Sequence, residues 1–382
     1  MKEPIRRLDD AQGKVRGYRV VVDGPRDASG KRKQVTKTVK TQREAREWLA
    51  QTRTTITKGD FVARSGVTLD AHLDQWLESR FNVKATTRAN YRDALKPVRR
   101  RLGDRKLQSL KVADVDSLVA GMLDESLRTQ GTKGAPLSPR SARLMVTVLA
   151  MALDRAVKDG LVGRNVARDV ERPRDARATR DVWDAVDVGK FLKAADGDRL
   201  AGAWHLTLHG LRRGEALGLR WADVDLTEGL AVVCQNRVLI DGAVFTQDTK
   251  TAAGERTVPL SVAAVVALKR TKAQQAQERL AAGPAYQDSG LVVVEALGAP
   301  MLPRWYSDRF KALSRLAGVP VVRLHDARHA FGSHLLDQGV PLPIVSEVMG
   351  HASVNVTASV YAHALKEGSH GRVRAAMQAA GM

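Results

Sequence analysis

Residues 325–363 read HDARHAFGSHLLDQGVPLPIVSEVMGHASVNVTASVYAH. In one run this stretch supplies His325, Arg328, His351 and Tyr361, in an order that allows all four to converge on a single phosphate. A tyrosine hydroxyl among cationic and neutral nitrogen donors points to nucleophilic attack on phosphorus. Cutting a phosphodiester in this way needs charge neutralised on the non-bridging oxygens, a proton removed from the nucleophile and a proton given to the leaving 5′-oxygen. Arg328 and, upstream, Arg212 offer planar forks that grip phosphate oxygens bidentately, which a lysine point charge does not reproduce. Tyr361 is the candidate nucleophile. Its ordinary pKa is about 10, so two guanidinium groups and a histidine nearby are expected to favour its phenolate.

The succession of HxxR, a histidine in an MGH turn and a YxH tyrosine resembles the end of the tyrosine recombinases, the phage integrase family. Residues 209–225, HGLRRGEALGLRWADVD, resemble that family's first arginine box, with Arg212 at the motif arginine and Glu215 at its acidic partner. Residues 248–260, DTKTAAGERTVPL, resemble the hairpin that carries the family's lysine, which falls on Lys250. Two positions depart from the pattern: His209 stands where Thr is common and Met349 where Leu is common. Neither change removes a functional group. By this resemblance Lys250 protonates the leaving oxygen, while His325 and His351 donate hydrogen bonds and shuttle protons. Glu215, one helical turn beyond Arg212, is placed to orient Arg212 or the histidines. Spacing alone leaves Arg213 open as the phosphate ligand, and only the family pattern favours Arg212.

The resemblance implies a site-specific DNA recombinase, the integrase of a phage or other mobile element, that stores bond energy in a 3′-phosphotyrosyl link. It implies no cofactor, neither nucleotide nor metal. The implied partners are double-stranded DNA attachment sites of core and arm type, a homotetramer in the synaptic complex, and accessory DNA-bending and directionality proteins.

Composition leads the same way without the resemblance. The chain has 382 residues, 43% of them hydrophobic, enough for two or three domains with real cores. A formal charge of +20 calls for an acidic polymer as partner, nucleic acid or an anionic membrane surface. No stretch approaches the roughly 20 apolar residues of a membrane span, and MKEPIRRLDD at the start holds no apolar signal-peptide core, so nucleic acid is the better partner. The single cysteine, Cys234, lies in the strand-like run LAVVCQ and reads as a small buried hydrophobe. No disulfide framework exists within one chain, and a cytoplasmic, nucleoid-associated protein is expected.

The charge is uneven. Residues 1–60 hold 16 basic against 8 acidic side chains, residues 61–180 hold 24 against 14, and residues 181–382 hold 22 against 20. The first two segments are therefore assigned bulk DNA grip and the third the chemistry.

The expected fold is multidomain and mainly α with α+β parts. In segment 1–60, KVRGYRVVV (14–22) and KRKQVTKTV (31–39) alternate as paired strands around the turn residues DGPRDASG. Thr41 and Glu44 then form a capping box, and Ala45, Trp48, Leu49 and Thr52 share a helical face. This small sheet plus helix resembles the arm-type DNA-binding domain of many phage integrases. Segment 66–173 turns helical, with stripes at Leu69, His72, Leu73, Trp76 and Leu77, at Tyr91, Leu95 and Val98, and at Val115, Leu118, Val119 and Met122. A fourth helix starts at Ser138-Pro139 and carries Leu144, Val148, Met151 and Leu153. Four helices with short links suit an all-α module, which by resemblance is the core-binding, SAM-like domain. GLVGRNVA resembles its usual close, with Val166 where proline is common. ERPRDARATR (171–180) reads as a linker that also touches DNA. Segment 181–382 is the mixed α/β catalytic domain, where Asp241-Gly242 signals a hairpin between LAVVCQNRVLI and AVFTQ. A last apolar stripe, Val373, Ala376, Met377 and Ala380, needs a surface; the resemblance implies that it docks on a neighbouring protomer, the alternative being its own domain.

Three other readings compete. His325 and His329, four apart on a helix, approach the spacing of a zinc hydrolase, but an arginine between them opposes a cation and Asp326 is short for the base role. A non-catalytic DNA-binding regulator would not need the ordered Arg, Lys, His, Arg, His, Tyr set. A tyrosine-type topoisomerase shares the chemistry but would not need an arm-like domain in front.

Overall fold

The structure is a computed structural model that describes residues 4–26, 32–57, 62, 64–124, 137–174, 183–248, 255–361 and 377–378. The chain divides into two compact units, Met1–Arg177 and Ala178–Met382.

Unit 1 opens with strands β1 (Ile5–Asp9), β2 (Val15–Arg26) and β3 (Arg32–Val39), an antiparallel sheet in the order β1-β2-β3. β2 and β3 fall where alternation placed them. β1, IRRLD, is an edge strand whose side chains stay half-buried or exposed, so its charged sequence carries no alternation to read. Helix α1 (Gln42–Thr57) begins on the expected capping box: the Glu44 amide donates to Thr41 Oγ1 at 3.2 Å and the Thr41 amide to Glu44 Oε2 at 3.4 Å. Ala45 joins Val20 and Val22 in a small core, with Trp48 and Leu49 packed against it.

Four longer helices follow: α2 (Leu69–Glu78), α3 (Ala85–Leu102), α4 (Val112–Leu123) and α5 (Pro139–Lys158). All five stripe residues of α2 are buried, and His72 Nε2 lies 2.8 Å from the Ala152 carbonyl. The α4 stripe is buried as read. In α5 the expected face is wrong: Leu144 and Met151 are exposed, and Ala142, Met145, Val146, Leu149, Ala152 and Ala156 line the core beside Val148 and Leu153. The run LMVTVLAMAL holds only one polar residue, but Arg140, Arg143, Thr147, Asp154 and Lys158 recur at helical spacing and mark the outer face, on which Leu144 and Met151 also lie. Ser138 caps α5, accepting from the Ser141 amide, and Pro139 occupies its first position. After α5, Asn165 donates to the Ala150 carbonyl and Asp154 and accepts from the Ala167 amide, which closes the module with Val166 buried.

Unit 2 contains α6 (Ala185–Ala195), α7 (Ala201–Leu208), α8 (Arg213–Gly218), β4 (Val224–Asp225), β5 (Leu230–Val233), β6 (Gln235–Ile240), β7 (Ala243–Asp248) and β8 (Arg256–Pro259). It continues with α9 (Val262–Ala282), α10 (Pro303–Leu316), α11 (Leu324–Asp337), α12 (Leu342–Met349) and α13 (Val354–Val360). The run LAVVCQNRVLI is two strands: it breaks at Cys234, β5 pairing with β4 and β8 while β6 pairs only with β7. Cys234 is half-buried and its Sγ donates to Asp223 Oδ2 at 3.6 Å, a more polar seat than its apolar neighbours suggest. The β6–β7 hairpin turns at Asp241 (φ 50°) and Gly242 (φ 84°), both left-handed as a two-residue hairpin of this type requires. Trp183, Phe191, Trp204, Tyr306 and Phe310 form an aromatic core under α6, α7 and α10. A separate apolar cluster, Leu336, Val345, Met349 and Tyr361, links α11 and α12 to the end of α13. Among the described residues no helix is long and apolar enough to cross a membrane. Residues 175–182 of the linker, Lys250 and, apart from Met377, the stripe at Val373, Ala376 and Ala380 lie outside the described residues.

Candidate active site

Arg212 caps α8 and Glu215 occupies that helix's first turn, so backbone geometry brings the two together. The Arg212 amide donates to Glu215 Oε2 at 2.8 Å, and its guanidinium donates to Glu215 Oε1 at 2.6 Å and to the Gly350 carbonyl at 2.7 Å. Arg213 turns away and donates to Ser307 Oγ at 3.0 Å. It faces an open cleft of about 430 Å³ lined also by Arg212, Lys311, Arg323 and His325. The geometry thus builds Arg212, and not Arg213, into the frame of Glu215.

Arg328, on the second turn of α11, is fully buried. Its two terminal nitrogens donate to the carbonyls of Gly210 and Met349. Its Nε is buried without a hydrogen-bond partner among the described residues. Burial, then the charge of Arg212, lowers its pKa to about 9. Of the two arginines expected to grip phosphate, only Arg212 reaches solvent in this state, with 38% of its side chain exposed.

A third arginine escaped the sequence reading. Arg256, first residue of β8, donates from Nη2 to Glu215 Oε2 at 2.9 Å and from Nε to the Val348 carbonyl at 2.6 Å. Burial alone would raise the Glu215 carboxyl; the hydrogen bond and charge of Arg256, with the charges of Arg212 and Arg328, outweigh it and hold the pKa at about 2. In a chain with 62 basic residues, only the position of Arg256 just past the lysine hairpin marks it out, and that signal is weak.

The histidines arrive from two helices. His325 lies exposed at the start of α11, and burial and the Arg328 charge lower its pKa. His329, one turn on, sits 4.5 Å from it ring to ring and brings Nδ1 to 3.4 Å from the Tyr361 hydroxyl. His329 entered the sequence reading only as a metal ligand, yet its ring lies within hydrogen-bond reach of that hydroxyl. His351 follows Gly350, whose left-handed φ of 61° ends α12 and turns the chain toward the site. Its Nδ1 lies 2.8 Å from Thr357 Oγ1, and burial followed by the Arg328 and Arg212 charges takes its pKa down to about 4. Both His325 and His351 are therefore neutral near pH 7 and can each donate and accept.

Tyr361 closes α13 and is 2% exposed. Its ring lies over Gly332 of α11, where a Cβ would come within 2.1 Å of the hydroxyl, and it faces the His351 ring at 6.3 Å. The expected phenolate is not favoured here. Burial pushes the pKa up to about 12 against the opposing pull of Arg328. Lys250 lies outside the described residues, on the stretch joining β7 to β8. Among the described residues no group of three or more His, Cys, Asp or Glu side chains is placed to hold a metal ion.

Residues 187–367 match the model of the phage integrase family. A tyrosine recombinase XerC-like protein of Caldanaerobacter subterraneus subsp. tengcongensis is 27% identical over 369 residues, covering 91% of this chain and 92% of that protein. The fold is similar to that of the Tn1549 transposon integrase in complex with transposon right end DNA: TM-score 0.66, 20% identity, 83% of this chain and 100% of that one. It is also similar to a lambda integrase tetramer bound to a Holliday junction, with TM-score 0.55 and 18% identity over 94% of each chain. Residues 187–367 thus form a phage integrase family domain, the domain of the tyrosine recombinases.

Proposed function

We propose that this site-specific recombinase cleaves double-stranded DNA with Tyr361, forming a 3′-phosphotyrosyl link that a second strand then resolves. The observation that carries the assignment is that Arg212 and Arg328 meet at one buried carboxylate, Glu215, and that His325, His351 and Tyr361 all feel the charge of Arg328. In cleavage the Tyr361 oxygen attacks phosphorus and the bond to the 5′-oxygen breaks. Arg212 and Arg328 neutralise the non-bridging oxygens. Neutral His325 and His351 donate to them, and Lys250 gives the 5′-oxygen its proton. Glu215 orients Arg212. Because the tyrosine is buried and its pKa lies near 12, DNA binding has to expose its hydroxyl to the phosphate before it reacts.

Unit 1 supplies the grip. Its sheet and α1 read an arm-type sequence, and helices α2 to α5 form the core-binding module. The charge excess before residue 181 is the feature that supports this division. The working assembly is a homotetramer on two duplexes of bacterial nucleoid DNA, helped by DNA-bending and directionality proteins, as in the integrase of a phage or integrative element. Two duplexes carrying the repeats that flank the gene, incubated with the full chain, should yield joint molecules. Relaxation of a supercoiled plasmid without joint molecules would instead favour a topoisomerase.

A further inference from the structure

Three successive carbonyls at the end of α12 are each taken by a different arginine: Val348 by Arg256, Met349 by Arg328 and Gly350 by Arg212. The same three arginines surround Glu215, two by hydrogen bond and Arg328 at 3.7 Å. The turn that aims His351 and the carboxylate that orients Arg212 are therefore held by one tripod. Arg212 and Arg328 have tasks on the phosphate, which leaves the third leg without one.

We infer that Arg256 is a positioning residue of the cleavage site, fixing the Val348–Gly350 turn and the Glu215 carboxylate so that Arg212 and His351 face one phosphate. This rests on the recombinase reading above. Three features of its place carry it. Its side chain is 3% exposed, and its Nε and Nη2 bond in two directions at once, to α12 and to α8. It lies flat on the Gly350 Cα, where a Cβ would approach its Nη1 to 2.9 Å and its Cδ to 3.0 Å, so a glycine is needed for contact as well as for its φ. It also stands on β8, whose Val258 is wholly buried, which makes it a fixed post and not a swinging arm. A buried ion pair is a poor source of stability compared with apolar packing, whereas a two-pronged guanidinium is a good source of fixed geometry. A lysine keeps the charge there but its single ammonium cannot span both partners.

The test uses the full chain and a nicked duplex bearing the core repeat that flanks the gene, on which cleavage accumulates as a detergent-stable adduct. Arg256→Lys should bind the duplex within about threefold of wild type and melt within a few degrees of it, yet form adduct roughly 10- to 100-fold more slowly at saturating DNA. The defect should persist on a duplex whose 5′-bridging oxygen is sulfur, since the leaving group is not what Arg256 serves. It should also not multiply with Glu215→Gln, because both changes loosen one frame. Adduct formation within threefold of wild type, recovery on the sulfur substrate, or full additivity with Glu215→Gln would each overturn the inference. So would a Lys variant that loses folding or DNA affinity in step with cleavage, which would make Arg256 a fold staple. If wild type itself forms no adduct, it is the recombinase reading that fails.

Discussion

In the helical part of unit 1, Arg99 meets Asp70 and Asp74, Arg155 meets Asp159 and Arg168 meets Asp154, each pair at least partly in solvent. In unit 2, Arg212, Arg256 and Arg328 converge on one glutamate that is 4% exposed. The same residue type does two different things. Pairs reached by solvent are screened by salt and worth little, so their arginines can exchange an aspartate for a phosphate at small cost. Arg256 and Arg328 have already lost their hydration and are locked in place, and with Glu215 they hold the more exposed Arg212, which suits stabilising a charge that develops only in a transition state. The first use, as proposed for unit 1, would show in net charge, and the excess does lie before residue 181. Net charge hides the second, since residues 181–382 are nearly balanced.

Removing the shared carboxylate is the sharpest way to break the contrast. Glu215→Gln leaves Arg256 and Arg328 buried without a counter-charge and should cost about 3–5 kcal/mol, read from the unfolding transition of the full chain. Exposed pairs of unit 1 offer nothing comparable: Asp159→Asn should leave that transition in place. An equal effect of the two changes would erase the distinction.

Next in size is the proton to the leaving oxygen. Lys250→Ala should slow adduct formation by roughly 10²- to 10⁴-fold on ordinary DNA and recover most of it on the sulfur-bridged duplex. Equal defects on both substrates would leave Lys250 only a positioning part.

Packing sharpens the comparison from the other side. Leu149→Ala, inside the α5 face that is buried, should cost about 2–5 kcal/mol, whereas Leu144→Ala should cost under about 0.5 kcal/mol. Similar losses at both sites would contradict the observed face.

The smallest expected effect is on pH. His205 and His351 have folded pKa values of about 4, below the ordinary 6.5, so the unfolded chain binds more protons between those values. Stability from these two is whole above pH 6.5 and is lost as pH falls through 4. Replacing His351 with Gln should flatten that part of the stability profile, measured by denaturant melts across pH, while the melts above pH 7 change less.

What the sequence revealed follows the same line. α2 and α4 each have one apolar face, so Leu69, Leu73 and Trp76 or Val115, Leu118 and Met122 announce their side. In α5 the outer face is marked by Arg140, Arg143, Thr147 and Asp154, which the reading by apolar residues alone passed over, and the strand break at Cys234 falls where LAVVC meets Gln235-Asn236-Arg237, with no Gly or Pro to signal it. At the candidate site, residue order together with the family resemblance proposed Arg212, Glu215, Lys250, His325, Arg328, His351 and Tyr361, the choice of Arg212 over Arg213 resting on the resemblance alone. Their exposure was not legible. Arg328 is buried under Gly210, Glu215 and the end of α12, and Tyr361 between α11 and α12, which raises the tyrosine pKa. Arg256 was hidden because its partners lie 41 and 92 residues away.

The most direct test is to digest the covalent complex formed on the nicked core duplex and find the peptide that carries nucleotide. The account predicts a phosphodiester on Tyr361, and no adduct from Tyr361→Phe although that variant still binds DNA within a few-fold of wild type. An adduct on another residue, or one formed by the Phe variant, would contradict it.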